Sequence, residues 1–95
     1  MAAMIANFRS KALQRFWVSG DAKRLQPGHI AKLTRLLTTL ESATAPEAVN
    51  VAGWAFHKLT GDQAGRYAVK IAKNFRLTFG WSAPDAIDVD YEDYH

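Results

Sequence analysis

A chain of 95 residues, 48% hydrophobic and 12% aromatic, has the size and composition of one globular domain. Because it has no cysteine, disulfides and thiolate chemistry are excluded, and no apolar run approaches the ~20 residues that span a bilayer. The N-terminus also lacks the layout of a signal peptide. We therefore expect one cytoplasmic domain over residues 1–95, with residues 1–3 as extra residues ahead of a second methionine, Met4.

The net charge of +3 conceals an asymmetry along the chain. All twelve Lys and Arg residues lie between Arg9 and Arg76, and only four acids share residues 1–81, which leaves +8 there. The other five acids lie in the last fourteen residues. A compact basic body favours contact with nucleic acid or the ribosome, although a solvated surface neutralised by an acidic strand explains the same pattern.

The first half of the chain is predicted to form a short strand and two helices. Residues 4–7 suit the strand, and apolar residues at helical spacing then run from an N-cap at Ser10 to a stop at Gly20. Pro27 fits the first position of the second helix. The apolar stripe of that helix is predicted to be core: Ile30, Leu33, Leu36, Leu37 and Leu40.

The second half changes to a period of two residues, which is typical of strands. Strands are predicted over residues 56–59, 66–72, 75–81 and 86–91, separated by short turns or loops. Consecutive hairpins of this kind place one face of a sheet on the helices and the other toward water. The pattern thus predicts an α+β fold, with two N-terminal helices packed on one face of a small, mostly antiparallel sheet.

Strict alternation also assigns side chains to the two faces of this sheet. Ile87, Val89 and Tyr91 are expected on the helix-covered face, with the apolar residues of the two preceding strands. The other face is expected to carry cations and carboxylates together: Arg66, Lys70, Arg76, Asp88 and Asp90. A rigid sheet can hold such groups in a fixed arrangement.

The polar residues suit acid–base chemistry better than metal or nucleophilic chemistry. The three histidines are far apart in sequence, and there is no zinc motif, Gly-rich phosphate loop or nucleophile elbow, so no metal and no cofactor are expected. RNA carries its own nucleophile, the 2′-hydroxyl, and its cleavage needs only proton transfer and stabilisation of phosphate charge. Histidine and arginine perform these two tasks near neutral pH.

Several stretches resemble one known family. They are Phe8–Leu13 with Phe16 and Trp17, Phe56–Asp62, Asn74–Phe79 and Asp88–His95. In these stretches the chain resembles the HigB group of the RelE/ParE toxin superfamily, over nearly its whole length from Met4. The aromatic-Arg strand and the terminal Tyr-Glu-Asp-Tyr-His are the most specific marks of the resemblance.

The resemblance implies a RelE-like fold and the toxin of a type II toxin–antitoxin system. Such toxins are ribosome-dependent endoribonucleases, or mRNA interferases, which cut mRNA in the A site and inhibit translation. It further implies a helix-turn-helix antitoxin of the HigA type as partner, and contact with operator DNA only through the antitoxin complex. No membrane is implied.

Carried over by position, the resemblance implies a catalytic set of five residues: His57, Arg76, Asp93, Tyr94 and His95. His95 is expected to accept the 2′-hydroxyl proton, with Tyr94 and Asp93 ordering or assisting it. Arg76 is expected to hold the scissile phosphate, and His57 to be a second proton carrier or an RNA contact.

Four cations are expected to contact RNA. Arg66 and Lys70 follow from the strand alternation, whereas Lys58 and Lys73 are departures from the family pattern. Many relatives have Lys where this chain has Thr60, and Lys58, two residues earlier, stands where Pro is common. Lys73 replaces a common turn glycine and adds a charge.

The same residues also suit ordinary structural roles. His57 fits a surface histidine, Arg76 a cross-strand partner of Asp88 or Asp90, and Tyr94 a side chain over the edge of the core. At the level of function, the alternatives are a non-catalytic or degenerate toxin that acts through antitoxin and operator DNA, and a ParE-like gyrase poison. The terminal Tyr-His pair argues against the gyrase poison.

Overall fold

The computed structural model describes residues 5–94. Two α-helices, α1 (Lys11–Ser19) and α2 (Ile30–Glu41), precede four strands. The strands are β1 (His57–Lys58), β2 (Arg66–Ala72), β3 (Phe75–Ser82) and β4 (Asp85–Asp93). Three short 3-10 helices lie in the connections: Pro27–His29, Pro46–Val49 and Gly61–Gln63.

Helix α1 begins and ends where the sequence predicts. The hydroxyl of Ser10 accepts a hydrogen bond from the backbone N–H of Leu13 at 3.1 Å, and an N-cap of this kind contributes about 1 kcal/mol. Gly20 ends the helix with a φ of 76°, in the left-handed region that glycine adopts without strain. Its N–H donates to the carbonyl of Phe16 at 2.9 Å.

Helix α2 begins three residues later than predicted. Pro27 instead opens the 3-10 helix Pro27–His29, and α2 follows from Ile30. The prediction that its leucine stripe is core is confirmed, because Leu33, Leu36, Leu37 and Leu40 are fully buried. Each buried leucine stabilises the fold by about 1.5–3 kcal/mol, so this stripe fixes α2 on the sheet.

The strands form one antiparallel sheet in the order β1-β2-β3-β4. The helices cover one face, which we call the helix face: the leucines of α1 and α2 pack with Val69, Leu77, Phe79 and Val89 in a single core. The N-terminal segment adds two parallel bridges to β4, from Ile5 to Ala86 and from Phe8 to Val89. This architecture confirms the predicted α+β fold.

A bulge in β4 changes which side chains share a face. Gly80 pairs with Ile87. Thr78, two residues before Gly80, pairs with Asp90, three residues after Ile87, so β4 has one extra residue here. Asp88 lies in the bulge with a φ of 50°. The prediction that Ile87 lies on the helix face is therefore wrong: a Cβ on Gly80 would lie 3.2 Å from Ile87 Cγ1, on the opposite face.

The acidic C-terminal segment is part of the sheet. β4 continues to Asp93, two residues beyond its predicted end at Tyr91. Arg76 pairs with Glu92, and the N–H of Tyr94 donates to the carbonyl of Asn74 at 2.9 Å. The backbone of the segment is therefore held up to Tyr94, by β3 and by Asn74 just before it.

Candidate active site

Strand pairing defines the face opposite the helices, which we call the open face. Directly paired residues in antiparallel strands point to the same side. His57 pairs with Ala68, and Arg76 pairs with both Lys70 and Glu92. The polar residues of the open face thus include His57, Arg66, Lys70, Arg76, Thr78, Asp90 and Glu92, and Ser82 with Asp85 near the other end of β3. The prediction that cations and carboxylates of three strands share one face is confirmed for Arg66, Lys70, Arg76 and Asp90, whereas Asp88 lies in the bulge of β4.

Arg76 is held on two sides. Its Nε and Nη2 donate to the same oxygen of Glu92, Oε1, at 3.3 and 3.1 Å. The side chains of this ion pair are only 19% and 18% exposed. The Cζ of Arg76 also lies 4.9 Å from the centroid of the Tyr94 ring, which is within the range of a cation–π contact. The acid that pairs with Arg76 is therefore Glu92, and not Asp88 or Asp90.

Glu92 is itself fixed by neighbouring side chains. Its Oε2 accepts the hydroxyl proton of Thr78 at 2.6 Å, and the amide of Gln63 lies 3.5 Å from Oε1. Burial alone would raise the pKa of Glu92, but hydrogen bonds from Thr78, Arg76 and Gln63 and the charge of Arg76 lower it overall. Glu92 is thus ionised at neutral pH and acts only as an acceptor.

Arg66 makes hydrogen bonds both to Thr78, the partner of Glu92, and to the bulge in β4. Its Nη2 donates to the Thr78 hydroxyl and to the carbonyl of Asp88, both at 2.9 Å. Burial, and next the charge of Arg9, lower its pKa from the usual value. Its Nε is buried and has no hydrogen-bond partner within residues 5–94. The guanidinium predicted to contact RNA is thus directed, at Nη2, toward groups inside the sheet.

His57 lies at the opposite edge of the open face from Glu92, on β1. Its side chain is exposed, and Nδ1 lies 2.8 Å from the carbonyl oxygen of Ala55. Because a carbonyl can only accept, Nδ1 carries a proton, and Nε2 remains for a substrate. Lys58 pairs with Tyr67, so it lies on the helix face, on the other side of β1 from His57.

The predicted terminal catalytic residues are divided between the two faces. The Tyr94 ring contacts Arg76 on the open face and is 45% exposed. Asp93 pairs with Phe75, whose ring belongs to the helix face. His95 lies outside the described residues. The structure thus brings Tyr94 to Arg76, and places Asp93 on the other side of β4.

Two of the predicted RNA contacts are exposed cations near Arg76. Lys70 is its cross-strand neighbour on the open face. Lys73 lies in the turn between β2 and β3, close in sequence to the same end of the sheet. These two exposed cations lie near the Arg76–Glu92 ion pair and suit contact with a phosphate backbone.

A cleft of about 340 Å³ lies on the helix face, between residues 23–27 and the aromatic rings of Phe75 and Tyr91. These rings stack with their centroids 5.2 Å apart. The Tyr91 hydroxyl lies 2.6 Å from Nδ1 of His29, and burial raises the pKa of Tyr91. The cleft is thus on the far side of the sheet from Arg76 and holds none of the predicted catalytic groups of the open face.

The sequence prediction omitted Thr78, Glu92 and Gln63 from the site. Alternation contained the signal for two of them, since Thr78 follows Arg76 by two residues and Glu92 follows Asp90 by two. Both therefore share the face of residues that were predicted. Gln63 lies in a 3-10 helix, where no periodicity indicates the direction of a side chain.

Within residues 5–94, no three His, Cys, Asp or Glu side chains come close enough together to hold a metal ion. Over the same residues, neither helix has the length and apolar character needed to cross a membrane.

Comparison with known proteins supports the resemblance. A family model described as HigB-like toxin, a RelE-like toxin of the type II toxin–antitoxin system HigB, matches residues 6–95. The chain is also similar to endoribonuclease HigB of Proteus vulgaris, with 28% identity over 92 residues. That similarity covers 97% of this chain and 100% of the relative.

Proposed function

Since the chain belongs to the HigB-like toxins of type II toxin–antitoxin systems, we propose that it is a ribosome-dependent endoribonuclease that cleaves mRNA in the A site and so inhibits translation. The observation that carries the proposal is the placement of His57, Arg76 and Tyr94 on one face of a rigid sheet. The name of the curated relative, endoribonuclease HigB, supports the reaction class.

The shape of the open face supports dependence on the ribosome. The cleft lies on the helix face, whereas the open face presents its polar groups on a sheet surface. A sheet face contacts an RNA strand from one side, and this does not by itself hold a flexible strand in the in-line geometry that cleavage needs. We propose that the A site supplies an ordered strand, and that the basic body of the toxin binds ribosomal phosphates.

The chemistry proceeds by attack of the RNA 2′-oxygen on the adjacent phosphorus, while the bond from phosphorus to the 5′-oxygen breaks. The products are a 2′,3′-cyclic phosphate and a 5′-hydroxyl. We assign His95 to accept the 2′-hydroxyl proton, and His57 to donate one to the leaving 5′-oxygen. Nδ1 of His57 donates to the carbonyl of Ala55, which fixes the ring and leaves Nε2 to face the leaving oxygen. Arg76 stabilises the charge that develops on the phosphate.

Mapping of mRNA 5′ ends after brief production of the chain tests this proposal. We expect growth arrest and new 5′ ends within codons of translated messages, and no cuts in the same RNA when it is offered free of ribosomes. Intact mRNA on arrested ribosomes would contradict the proposal. Damaged DNA with intact mRNA would instead indicate a gyrase poison.

The family is defined by pairing with an antitoxin, and we propose a helix-turn-helix partner of the HigA type. In that proposal the toxin reaches operator DNA only within the complex, and acts in the cytoplasm because its substrate is there. Co-production with the product of a neighbouring helix-turn-helix gene should restore growth and give a stable complex. Growth arrest that persists despite soluble partner would contradict this pairing.

A further inference from the structure

We propose that Glu92 and Thr78 are positioning residues, which hold the guanidinium of Arg76 in the orientation that receives the RNA phosphate. Neither was part of the predicted site. The inference rests on the proposed endoribonuclease function, because it assigns these residues to that reaction. Its physical content, a fixed guanidinium in the free protein, is measurable without any activity.

The first observation is how the donors of Arg76 are divided. An arginine side chain has five N–H donors. Nε and Nη2 each donate one N–H to Oε1 of Glu92. The centroid of the Tyr94 ring lies 4.9 Å from Cζ of the guanidinium. Three N–H groups, two on Nη1 and one on Nη2, remain for a ligand. Glu92 thus fixes one edge of the guanidinium and leaves the other for phosphate, which arginine binds through paired donors.

The second observation is that the buried hydroxyl of Thr78 donates to Glu92 and so orients its carboxylate. Thr78 is fully buried although it lies on the open face. Its oxygen accepts from Arg66 at 2.9 Å, and its one proton goes to Glu92 Oε2 at 2.6 Å. Because the guanidinium of Arg66 can only donate and the carboxylate of Glu92 can only accept, the direction of this chain of bonds is fixed, from Arg66 through Thr78 to Glu92.

A competing role for Glu92, in which it only neutralises the charge of Arg76, predicts the opposite effect of its substitution on the cleavage rate. If its charge only neutralised Arg76, removing the charge would strengthen attraction for RNA and leave cleavage unchanged or faster. If Glu92 positions Arg76, the same change lets the guanidinium turn and lowers the rate of the chemical step. Thr78 separates the roles further, because it carries no charge and no hydrogen bond joins it to Arg76 directly.

The test compares Glu92→Gln, Thr78→Val and Thr78→Ser in single-turnover cleavage of A-site mRNA. We expect Glu92→Gln and Thr78→Val to lower the single-turnover rate constant at saturating toxin by about 10- to 100-fold, because misplacement by about 1 Å can slow an enzyme 100-fold. The toxin concentration that gives half of this rate should change little. Thr78→Ser keeps the hydroxyl and should stay within about twofold. Thr34→Val, an exposed threonine on α2, is the matched control. Unchanged or faster cleavage by Glu92→Gln or Thr78→Val would overturn the proposal.

A second measurement uses the free full-length chain. The Nε–H of Arg76, assigned by its loss in Arg76→Lys, should give a slowly exchanging NMR signal. Thr78→Val and Glu92→Gln should speed its exchange about 10-fold, the effect of losing roughly one charge-assisted hydrogen bond, and Thr78→Ser should not. Equal exchange in all variants would overturn the proposal. If the wild-type chain does not cleave mRNA, the proposed function fails, and this measurement still decides whether Arg76 is positioned.

Discussion

The two faces of the sheet at the C-terminal end of β4 carry different chemistry. On the open face, Arg76, Glu92 and Thr78 form a charged, hydrogen-bonded cluster with the Tyr94 ring beside it. On the helix face, Tyr91 meets His29 in an aromatic cluster beside a cleft. The terminal residues, which the sequence predicts to form one catalytic set, are therefore divided between the two faces of the sheet. The reason is that successive residues of a strand point in opposite directions.

The largest expected difference between the faces comes from their arginines. Arg76→Ala should lower cleavage by about 100- to 1,000-fold, the range for loss of one donor that stabilises developing charge. Arg24→Ala, which removes a cation at the cleft, should change it only a few-fold. Mapping of mRNA ends and single-turnover rates measure both, with circular dichroism to show that the fold survives. Equal losses would mean that the cleft belongs to the site.

The bulge decides which acids reach the open face, so straining it should weaken the sheet. Asp88 has a φ of 50°, which costs a β-branched residue about 1–2 kcal/mol. We expect Asp88→Val to reduce the free energy of unfolding by about that amount, and Asp88→Asn or Asp88→Gly to be near neutral. Urea unfolding measures the differences. Equal stability of the Val and Gly variants would argue against the left-handed backbone at this position.

Substitution of Tyr91 tests whether the helix face contributes only to the stability of the fold and not to cleavage. Tyr91→Phe removes the hydroxyl that meets His29 and should cost about 1 kcal/mol of stability, with cleavage unchanged. Tyr67→Phe is the matched control, since its ring stacks between Phe56 and Phe79. A loss of cleavage in Tyr91→Phe at full stability would place the helix face in the reaction.

Acid pH should lower the stability of the fold in part through protonation of Glu92 on the open face. Its pKa in the folded protein is below the usual 4.5, so its ionised form stabilises the fold above pH 4.5, and this contribution is lost as the pH falls through the lowered value. Glu92→Gln should therefore flatten the decline in stability as the pH falls below 4.5, as measured by urea unfolding. Asp62→Asn, at an exposed carboxylate, controls for net charge. An unaltered decline in Glu92→Gln would contradict the lowered pKa.

Much of the architecture was predictable because it follows from local rules. Ser10 and Gly20 mark the ends of α1 through capping and left-handed backbone, and the leucines of α2 repeat at helical spacing. The alternation of β2 and β3 also correctly placed Arg66 and Arg76 on one face. The start of α2 was missed because a proline suits a 3-10 helix as well as an α-helix.

Less of the candidate site was predictable. The bulge at Asp88 has no glycine to mark it, so alternation put Ile87 on the wrong face. Glu92 was missed as the partner of Arg76 because its choice over Asp90 depends on the register between β3 and β4. The register is set by how two strands pair, so it cannot be predicted from the sequence of one strand alone.

By itself, the sequence determined the elements, the leucine core, the excess of cations before the acidic end, and the family resemblance, because each depends on residue type and spacing along the chain. Only the tertiary structure decided that Arg76 pairs with Glu92, that Thr78 is buried behind that pair, and that Asp93 and Tyr94 lie on opposite faces. These contacts join residues from different strands, and they depend on where the extra residue of the bulge falls when the sheet forms.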